Sequence, residues 1–379
     1  MASTSILSYY PTYSILDEVL TSGKYDTLNL YIDLKNNLQS LYIKDVIVEI
    51  VENTLRAKFT DSSIFEAVAS FLSFHKIYAA NRNIKINFFI FMETGRSNYH
   101  LNISKTYKIS RRIDDLYGLD REKRDKFFEV VQKNLMLVEK ACNRMPNIKV
   151  IRLQGLEADF IPFYLMSRGL VETSKNVGHI VYSNDHDMLQ CLKDDVYIYV
   201  KIPKIKKLIR KNEALKSYLK FTENYPDSYL PLVMAIIGDT GDNVDGIKGI
   251  GGKTVEKIIE EVVQLTGGIE NLFHNVVKGK PIFDPNLTSH PNKYIDTIIR
   301  KELTEKTISN NLKLVSFEIL SRFLDDPIST EMIDKRKIIE KTLQENNIVE
   351  IESMRTALAG NRIYLNEDSL DNIYFNGGT

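Results

Sequence analysis

The chain has 379 residues, of which 43% are hydrophobic, so it can form one large or two medium folded domains. Its 50 basic residues balance 50 acidic ones, so charge alone predicts neither a polyanionic partner nor a membrane surface. Two cysteines exclude a disulfide scaffold and a cysteine-rich zinc site. No apolar stretch approaches the roughly 18 residues of a membrane span, and the N-terminus lacks a secretory pattern. We therefore expect a soluble cytoplasmic protein with no membrane partner.

Short β-rich runs alternate with helical patterns through about the first 200 residues. The predicted strands are 28–33, 86–92, 148–153, 179–183 and 196–200. The predicted helices are 43–58, 64–78, 123–145 and 157–168. Such alternation predicts an α/β fold with a parallel sheet.

After about residue 201 the strands stop and the pattern becomes helical, with several glycines. We expect three regions: an α/β core over 1–200, a helical region over 201–291 and a mostly helical C-terminal region over 292–379.

Acidic residues recur where the first four predicted strands end. In chain order they are Asp33, Glu93, the pair Glu157 and Asp159, and the pair Asp185 and Asp187. A single acid at such a position is usually a helix cap. Six acids at one rim of a parallel sheet repel one another unless a cation neutralises them. Oxygen ligands favour Mg²⁺ or Mn²⁺ over zinc.

A glycine-rich segment adds two further acids, Asp239 and Asp242, followed by the sequence VDGIKGIGGKT. Glycines at this spacing can bring backbone N–H groups to a phosphate, and Lys253 would add a charge. The alternative is a glycine-rich turn between two packed helices. The spacing does not match a nucleotide-triphosphate-binding P-loop.

Four motifs resemble those of the 5′ nuclease family, in the family's order. They are YID at 31–33, GLEAD at 155–159, SNDHD at 183–187 and GDTGDNVDGIKGIGGKT at 238–254. The family includes flap endonucleases and the 5′ exonuclease domains of bacterial polymerases. The likeness is greatest to stand-alone bacteriophage members, including ribonuclease H-type 5′ nucleases. It implies a PIN-like parallel-sheet core, a helical arch at about 94–126 and a helix-three-turn-helix DNA-binding subdomain.

The resemblance also implies a site for two Mg²⁺ ions, or Mn²⁺. One cluster would comprise Asp33, Glu93, Glu157 and Asp159, and the second Asp185, Asp187 and Asp239, with Asp242 further out. A K⁺ ion would bind the helix-three-turn-helix motif. Two departures bear on this site: the family usually has Asp at position 93, and often has another acid where Phe160 stands.

The resemblance places the segment from Thr94 onward in the arch. Lys108 and Arg111 would act on the scissile phosphate, one helical turn apart if the segment is helical, and Tyr107 would stack on an unpaired base. The family usually has Lys at Thr94. Gly246, Gly249, Gly251 and Lys253 would contact DNA, and the basic run over 201–211 is a secondary candidate. The alternative for both basic stretches is a solvated surface.

The implied activity is a metal-dependent 5′–3′ exonuclease and flap endonuclease acting on a 5′ flap, nick or end, and on RNA–DNA hybrid. A single-strand binding protein or a clamp would be a protein partner, and the host cytoplasm the location if a phage encodes the chain. Two rivals remain open. One is a catalytically silent DNA-structure binder, and the other is a PIN-type ribonuclease, which the glycine-rich segment disfavours.

Overall fold

A computed structural model describes most of the chain. The described residues are 13–22, 25–34, 71–72, 75–95, 97–109, 135–136, 138–139, 142, 147–202, 205–326 and 330–344. The predicted helix over 43–58 and most of that over 123–145 lie outside them. Within the described part, no helix has the length and apolar character that a membrane span requires.

The centre of the fold is a sheet of six strands in the order β3-β2-β1-β4-β5-β6. The strands are β1 (Thr27–Asp33), β2 (Lys85–Thr94), β3 (Ile148–Gln154), β4 (Val177–Tyr182), β5 (Val196–Ile202) and β6 (Ile205–Ile209). The first five are parallel, which confirms the predicted fold class. Every residue of β4 is buried, as expected for a strand covered on both faces.

The expectation that strands end near residue 201 was wrong, because β6 (Ile205–Ile209) pairs antiparallel with β5. Its sequence, IKKLI, contains two adjacent lysines, which obscure the alternation of a strand. Leu208 and Ile209 are nevertheless buried. The sheet therefore extends beyond the predicted boundary of the core at residue 200.

Helices cover the sheet and make up most of the C-terminal half. They are α1 (Tyr13–Ser22), α2 (Asn98–Ile103), α3 (Ile161–Ser167), α4 (Ala214–Leu219), α5 (Leu230–Ile237), α6 (Gly252–Glu256), α7 (Ile259–Leu265), α8 (Ile269–Val277), α9 (Lys293–Glu305), α10 (Thr307–Val315), α11 (Phe317–Asp325) and α12 (Thr330–Gln344). Residues 75–80 are also helical, and 3₁₀ helices span His186–Cys191 and Asp227–Tyr229. Helix α3 begins four residues after Glu157, with Pro162 in its first turn, where the missing N–H costs nothing.

The glycine-rich segment connects α5 to α6 through a very short hairpin. Its strands are β7 (Gly238–Asp239) and β8 (Val244–Asp245). A Cβ atom on Gly246 would lie 2.0 Å from the carbonyl oxygen of Ile237, so this position needs glycine for the chain's own packing. Gly246 therefore has a structural role in the fold, and its contact with DNA stays a prediction.

Hydrophobic side chains from all three predicted regions pack into one continuous cluster. It includes Leu153 in β3, Val233 in α5 and Ile299 in α9. The helices after residue 292 thus pack directly against the part of the molecule that carries the acidic motifs.

Candidate active site

The predicted acids gather at one edge of the sheet. Strands β3, β2, β1 and β4 are neighbours and run parallel, so their carboxyl ends meet there. Asp33 is the last residue of β1, and Glu93 lies near the end of β2. Four more acids follow β3 and β4, whereas Asp239 and Asp242 lie in the hairpin after α5. The strand order reverses between β1 and β4, the place where open α/β sheets bind ligands.

Several of these acids use an oxygen to fold their own turn. Asp185 Oδ1 accepts a hydrogen bond from the Asp187 N–H (3.2 Å) and caps the 3₁₀ helix that follows. Asp239 Oδ1 accepts from the N–H groups of Gly241 (2.8 Å) and Asp242 (3.3 Å). Glu93 Oε2 accepts from the Ala158 N–H (3.3 Å), which joins the end of β2 to the turn after β3. Local chemistry therefore orients these carboxylates before any ligand binds.

Lys108 and Tyr107 join the acids after β3 to the glycine-rich segment. The Lys108 ammonium lies 2.6 Å from Glu157 Oε1 and 3.3 Å from Asp242 Oδ2. The Tyr107 hydroxyl lies 3.0 Å from Glu157 Oε2 and 3.0 Å from Asp242 Oδ2. The backbone N–H of Lys108 also donates to the carbonyl oxygen of Asp242 (2.8 Å). A cationic side chain from the predicted arch thus lies inside the acidic cluster.

The structure places Tyr107 differently from the expectation that it stacks on a base. Its ring is only 7% exposed and stacks on His100, with ring centroids 4.6 Å apart. Burial and the neighbouring Lys108 lower the pKa of His100 to about 3, so the imidazole is neutral. Tyr107 and His100 support the backbone that carries Lys108.

The arch segment is not a continuous helix where the structure describes it. Helix α2 ends at Ile103, residues 105–109 form turns, and Lys108 has a left-handed backbone with φ of 52°. The expected helical pairing of Lys108 with Arg111 therefore does not hold at Lys108. Arg111 and the rest of the predicted arch lie outside the described residues.

Burial and neighbouring carboxylates together raise the pKa of two acids, Asp159 and Asp187. Burial raises the pKa of Asp159 well above its ordinary value, and the nearby Glu157 raises it further. Burial likewise raises the pKa of Asp187, with Asp185 as the next cause. Asp187 Oδ1 is buried and receives no hydrogen bond from any described residue. Such an oxygen is costly unless a cation or proton meets it.

These residues fit a hard divalent cation by their chemistry. The donors are carboxylate oxygens, and the orphaned Asp187 Oδ1 lacks the positive partner that a metal ion would supply. In the part of the chain that the structure describes, no three acidic, histidine or cysteine side chains are already arranged as a metal-binding group. Lys108 provides the positive charge at Glu157 and Asp242 instead. Phe160 is fully buried in the core and cannot be a ligand.

The turn before α6 presents an open backbone. A Cβ atom added to Gly249 or Gly251 would have no neighbour within 4 Å, and Gly249 has a φ of 86°. Both glycines and Lys253 are exposed. In the basic run, by contrast, Arg210 pairs with Glu18, and Lys211 Nζ lies 2.7 Å from Asp194 Oδ2. The open turn is therefore the better candidate for a phosphate contact.

Comparison with known proteins gives relatives of one kind, although no protein-family model matches the chain. The 5′-3′ exonuclease of Buchnera aphidicola (subsp. Acyrthosiphon pisum) is 26% identical over 247 residues, 62% of this chain and 76% of that protein. The 5′-3′ exonuclease of Aquifex aeolicus is 29% identical over 138 residues, 36% of this chain and 43% of that protein. DNA polymerase I of Caldicellulosiruptor bescii is 32% identical over 138 residues, 35% of this chain and 15% of the polymerase. The chain therefore spans less than half the length of the last two.

The D15 protein of bacteriophage T5, co-crystallized with metal ions, has the same fold. The TM-score is 0.54 at 18% identity, over 84% of this chain and all of the T5 chain. The chain is similar in sequence to proteins named 5′-3′ exonuclease and similar in fold to the T5 protein. A second structure of the T5 5′-exonuclease, with divalent zinc ions bound, covers 83% of this chain with a TM-score of 0.52. The predicted 5′ nuclease resemblance and fold are thus confirmed.

Three residues near the acids of this chain were not identified from the sequence. His100 and Asn311 are buried polar residues, a class that one sequence cannot distinguish from surface residues. Tyr218 in α4 lies near the second cluster: burial raises its pKa, followed by the charge of Asp239. Its ring is 5.3 Å from that of the exposed His186. Of these residues, the sequence pointed only to His186, because it lies between two acids.

Proposed function

We propose that this protein is a metal-dependent 5′ nuclease that hydrolyses phosphodiester bonds near the 5′ ends of branched or nicked DNA. The observation that carries the proposal is the convergence of carboxylates at the edge of β3, β2, β1 and β4, with Asp187 Oδ1 buried and lacking a partner among the described residues. Related chains named 5′-3′ exonuclease support the same chemistry.

Two Mg²⁺ ions, or Mn²⁺, would be held by two groups of acids. Asp33, Glu93, Glu157 and Asp159 would form one group, and Asp185, Asp187 and Asp239 the other, with Asp242 beyond them. Bound divalent ions activate a water and stabilise the attacking and leaving oxygens of an in-line displacement. Glu93 Oε2 accepts a hydrogen bond from the Ala158 N–H, which restricts the orientation of this carboxylate.

The Lys108 ammonium would have a role distinct from that of the metal ions. The acidic rim repels a phosphate, and the Lys108 ammonium is the positive group found among the carboxylates. When DNA enters, Lys108 would turn from Glu157 to the scissile phosphate, and Arg111 would add a second positive charge. The stack of Tyr107 on His100 limits the movement of the backbone between these states.

Duplex DNA would lie across the open turn before α6. Gly249 and Gly251 would allow its backbone to approach, and Lys253 would contact a phosphate. A K⁺ ion in this turn would contribute to the same contact. RNA–DNA hybrid is a further substrate, and a single-strand binding protein or clamp a protein partner of this proposed activity.

The test uses four 5′-labelled substrates: a flap duplex, a nicked duplex, an RNA–DNA hybrid and a single-stranded RNA. Each is incubated with Mg²⁺, with Ca²⁺ and with EDTA, and product sizes are measured. We expect short 5′ products in Mg²⁺, tight binding without cleavage in Ca²⁺ and no cleavage in EDTA. Binding without cleavage in Mg²⁺ or Mn²⁺ would contradict the proposal and identify a silent DNA-structure binder. Cleavage of single-stranded RNA alone would identify a PIN-type ribonuclease.

A further inference from the structure

Helix α10 (Thr307–Val315) lies between two parts of the acidic site, although it belongs to the C-terminal region for which the sequence indicated no role. It packs against α5, which precedes the glycine-rich hairpin, against strand β8 of that hairpin, and against α2 of the predicted arch. An element in this position can hold the two parts in one arrangement.

The main link is the side chain of Asn311. It is buried, and its Nδ2 group donates to the carbonyl oxygens of Ala235 (2.8 Å) and Asp245 (2.8 Å). Ala235 precedes the hairpin and Asp245 closes it, so one amide group ties both ends of the segment that carries Asp239 and Asp242. Both N–H hydrogens of the amide have a partner.

Tyr107 and Lys108 hold the hairpin at Asp242, and the Asn311 amide holds its two ends. Each of its strands has only two residues, and a hairpin of that size is not stable alone. The Ala235 carbonyl belongs to the last turn of α5, where helical carbonyls lack a partner within the helix.

The opposite side of α10 contacts the arch. The Tyr99 hydroxyl donates to the carbonyl oxygen of Lys313 (3.0 Å). Tyr99 precedes His100, whose ring supports Tyr107 and, through it, the backbone of Lys108. Helix α10 therefore contacts α2, which precedes Lys108, and the hairpin that carries Asp242. Lys108 and Asp242 form an ion pair.

The geometry points to Asn311 as a positioning residue for the second group of acids, so that the C-terminal region forms part of the active site. This inference rests on the proposed nuclease function. Without the Asn311 amide, Asp239 and Asp242 spread apart and the site needs more divalent metal to reach the same activity.

The experiment compares Asn311→Ala and the milder Asn311→Ser with a matched control, Ser309→Ala. Ser309 is buried two residues earlier in the same helix, and its hydroxyl donates to Glu302 of α9, away from the hairpin. Three quantities are measured for each variant: single-turnover cleavage over a range of Mg²⁺ concentrations, DNA affinity in Ca²⁺, and hydrogen–deuterium exchange over residues 235–247.

For Asn311→Ala we expect the half-saturating Mg²⁺ concentration to rise at least threefold, with less than a threefold change in Kd for DNA. The amides of 238–246 should exchange at least tenfold faster, while those of β1 and β4 are unchanged. Asn311→Ser should lie between Asn311→Ala and the parent, and Ser309→Ala should match the parent in all three quantities.

Unchanged exchange over 238–246 in Asn311→Ala would overturn the inference. The inference would also be overturned if Ser309→Ala raised the Mg²⁺ requirement as much as Asn311→Ala does, when the two variants lose the same unfolding free energy. If the parent does not cleave DNA, the proposed function fails, whereas the exchange data and calorimetric Mn²⁺ binding still decide the role of Asn311.

Discussion

Buried carboxylate oxygens occur both at the edge of the sheet and among the supporting helices. The two regions differ in whether these oxygens accept hydrogen bonds. Asp227 accepts hydrogen bonds from the N–H groups of Asn212 (2.6 Å) and Ala214 (3.0 Å). Glu302 accepts from the N–H (3.0 Å) and the hydroxyl of Ser309. At the sheet edge, Asp187 has a buried oxygen with no hydrogen-bond donor among the described residues.

The same contrast appears in the causes of the pKa shifts. Burial raises the pKa of Asp227 and that of Glu302, and hydrogen bonds then oppose the rise. Burial also raises the pKa of Asp159 and that of Asp187, but there the next cause is a neighbouring carboxylate, which adds to the rise. A structural acid has its own donors, whereas the acids at the sheet edge depend on a cation.

The largest expected effect separates the two regions directly. Asp187→Asn should slow single-turnover cleavage by about a thousandfold or more, equivalent to about 4 kcal/mol. Its unfolding free energy should be unchanged or higher, because the substitution removes repulsion from Asp185. Asp239→Asn should behave alike, and DNA affinity should stay similar or improve slightly. Cleavage near the parental rate in saturating Mg²⁺ would remove the substituted acid from the metal site.

A buried histidine with partners of its own extends the comparison to pH. His75 Nδ1 bonds to the Phe71 carbonyl (2.8 Å) and Nε2 to the Tyr182 hydroxyl (2.6 Å). Burial lowers the pKa of His75 from 6.5 to about 4. Between these values the unfolded chain binds the proton, so stability falls as pH decreases from 6.5 toward 4.

The full loss from His75 is about 3 kcal/mol, from roughly 1.4 kcal/mol for each unit of pKa difference. Urea unfolding at pH 7 and pH 4.5 measures it. His75→Phe cannot take up a proton, so its unfolding free energy should depend less on pH over this range. An identical pH dependence in parent and variant would rule out His75 as a source of the acid sensitivity.

Asp227→Ala tests the structural acids. Removing the carboxylate leaves two backbone N–H groups without their acceptor, which should cost about 1–3 kcal/mol of unfolding free energy. Cleavage measured well below the melting temperature should change less than threefold. The comparison between regions would fail if this variant lost cleavage while keeping its stability.

Lys108→Ala tests the cation at the sheet edge. We expect single-turnover cleavage to fall about tenfold or more, equivalent to roughly 1.4 kcal/mol, because Lys108 acts on the transition state. The Kd for DNA in Ca²⁺ should change less than threefold. Lys105→Ala is the matched control, since Lys105 is exposed three residues earlier. A loss confined to Kd would mean that Lys108 merely attracts DNA.

The smallest effect concerns Lys253, an exposed lysine, in contrast to the paired Lys108. Lys253→Ala should weaken binding to flap and plain duplex about equally and lower the salt slope by roughly one unit. The exposed Lys280 provides the control substitution. An unchanged salt dependence would exclude a phosphate contact at Lys253.

The acidic motifs were predictable because they follow the strands. Apolar runs of the kind seen in β1 and β4 identify a parallel sheet from sequence alone, and parallel strands bring their final residues to one edge. Asp33, Glu93, Asp159 and Asp187 therefore fall near that edge for local reasons. The resemblance to 5′ nucleases added the assignment of Asp239 and Asp242, whose spacing lies outside the sheet.

Other features depend on contacts between residues far apart in the chain, which no local pattern records. Lys108 meets Asp242, Asn311 meets Ala235, and Tyr107 is buried against His100. The sequence by itself determined which residues are acidic, that acids follow the first four strands and which glycines allow a turn. The tertiary structure alone decided which charges face one another, because burial and distance set the strength of those interactions.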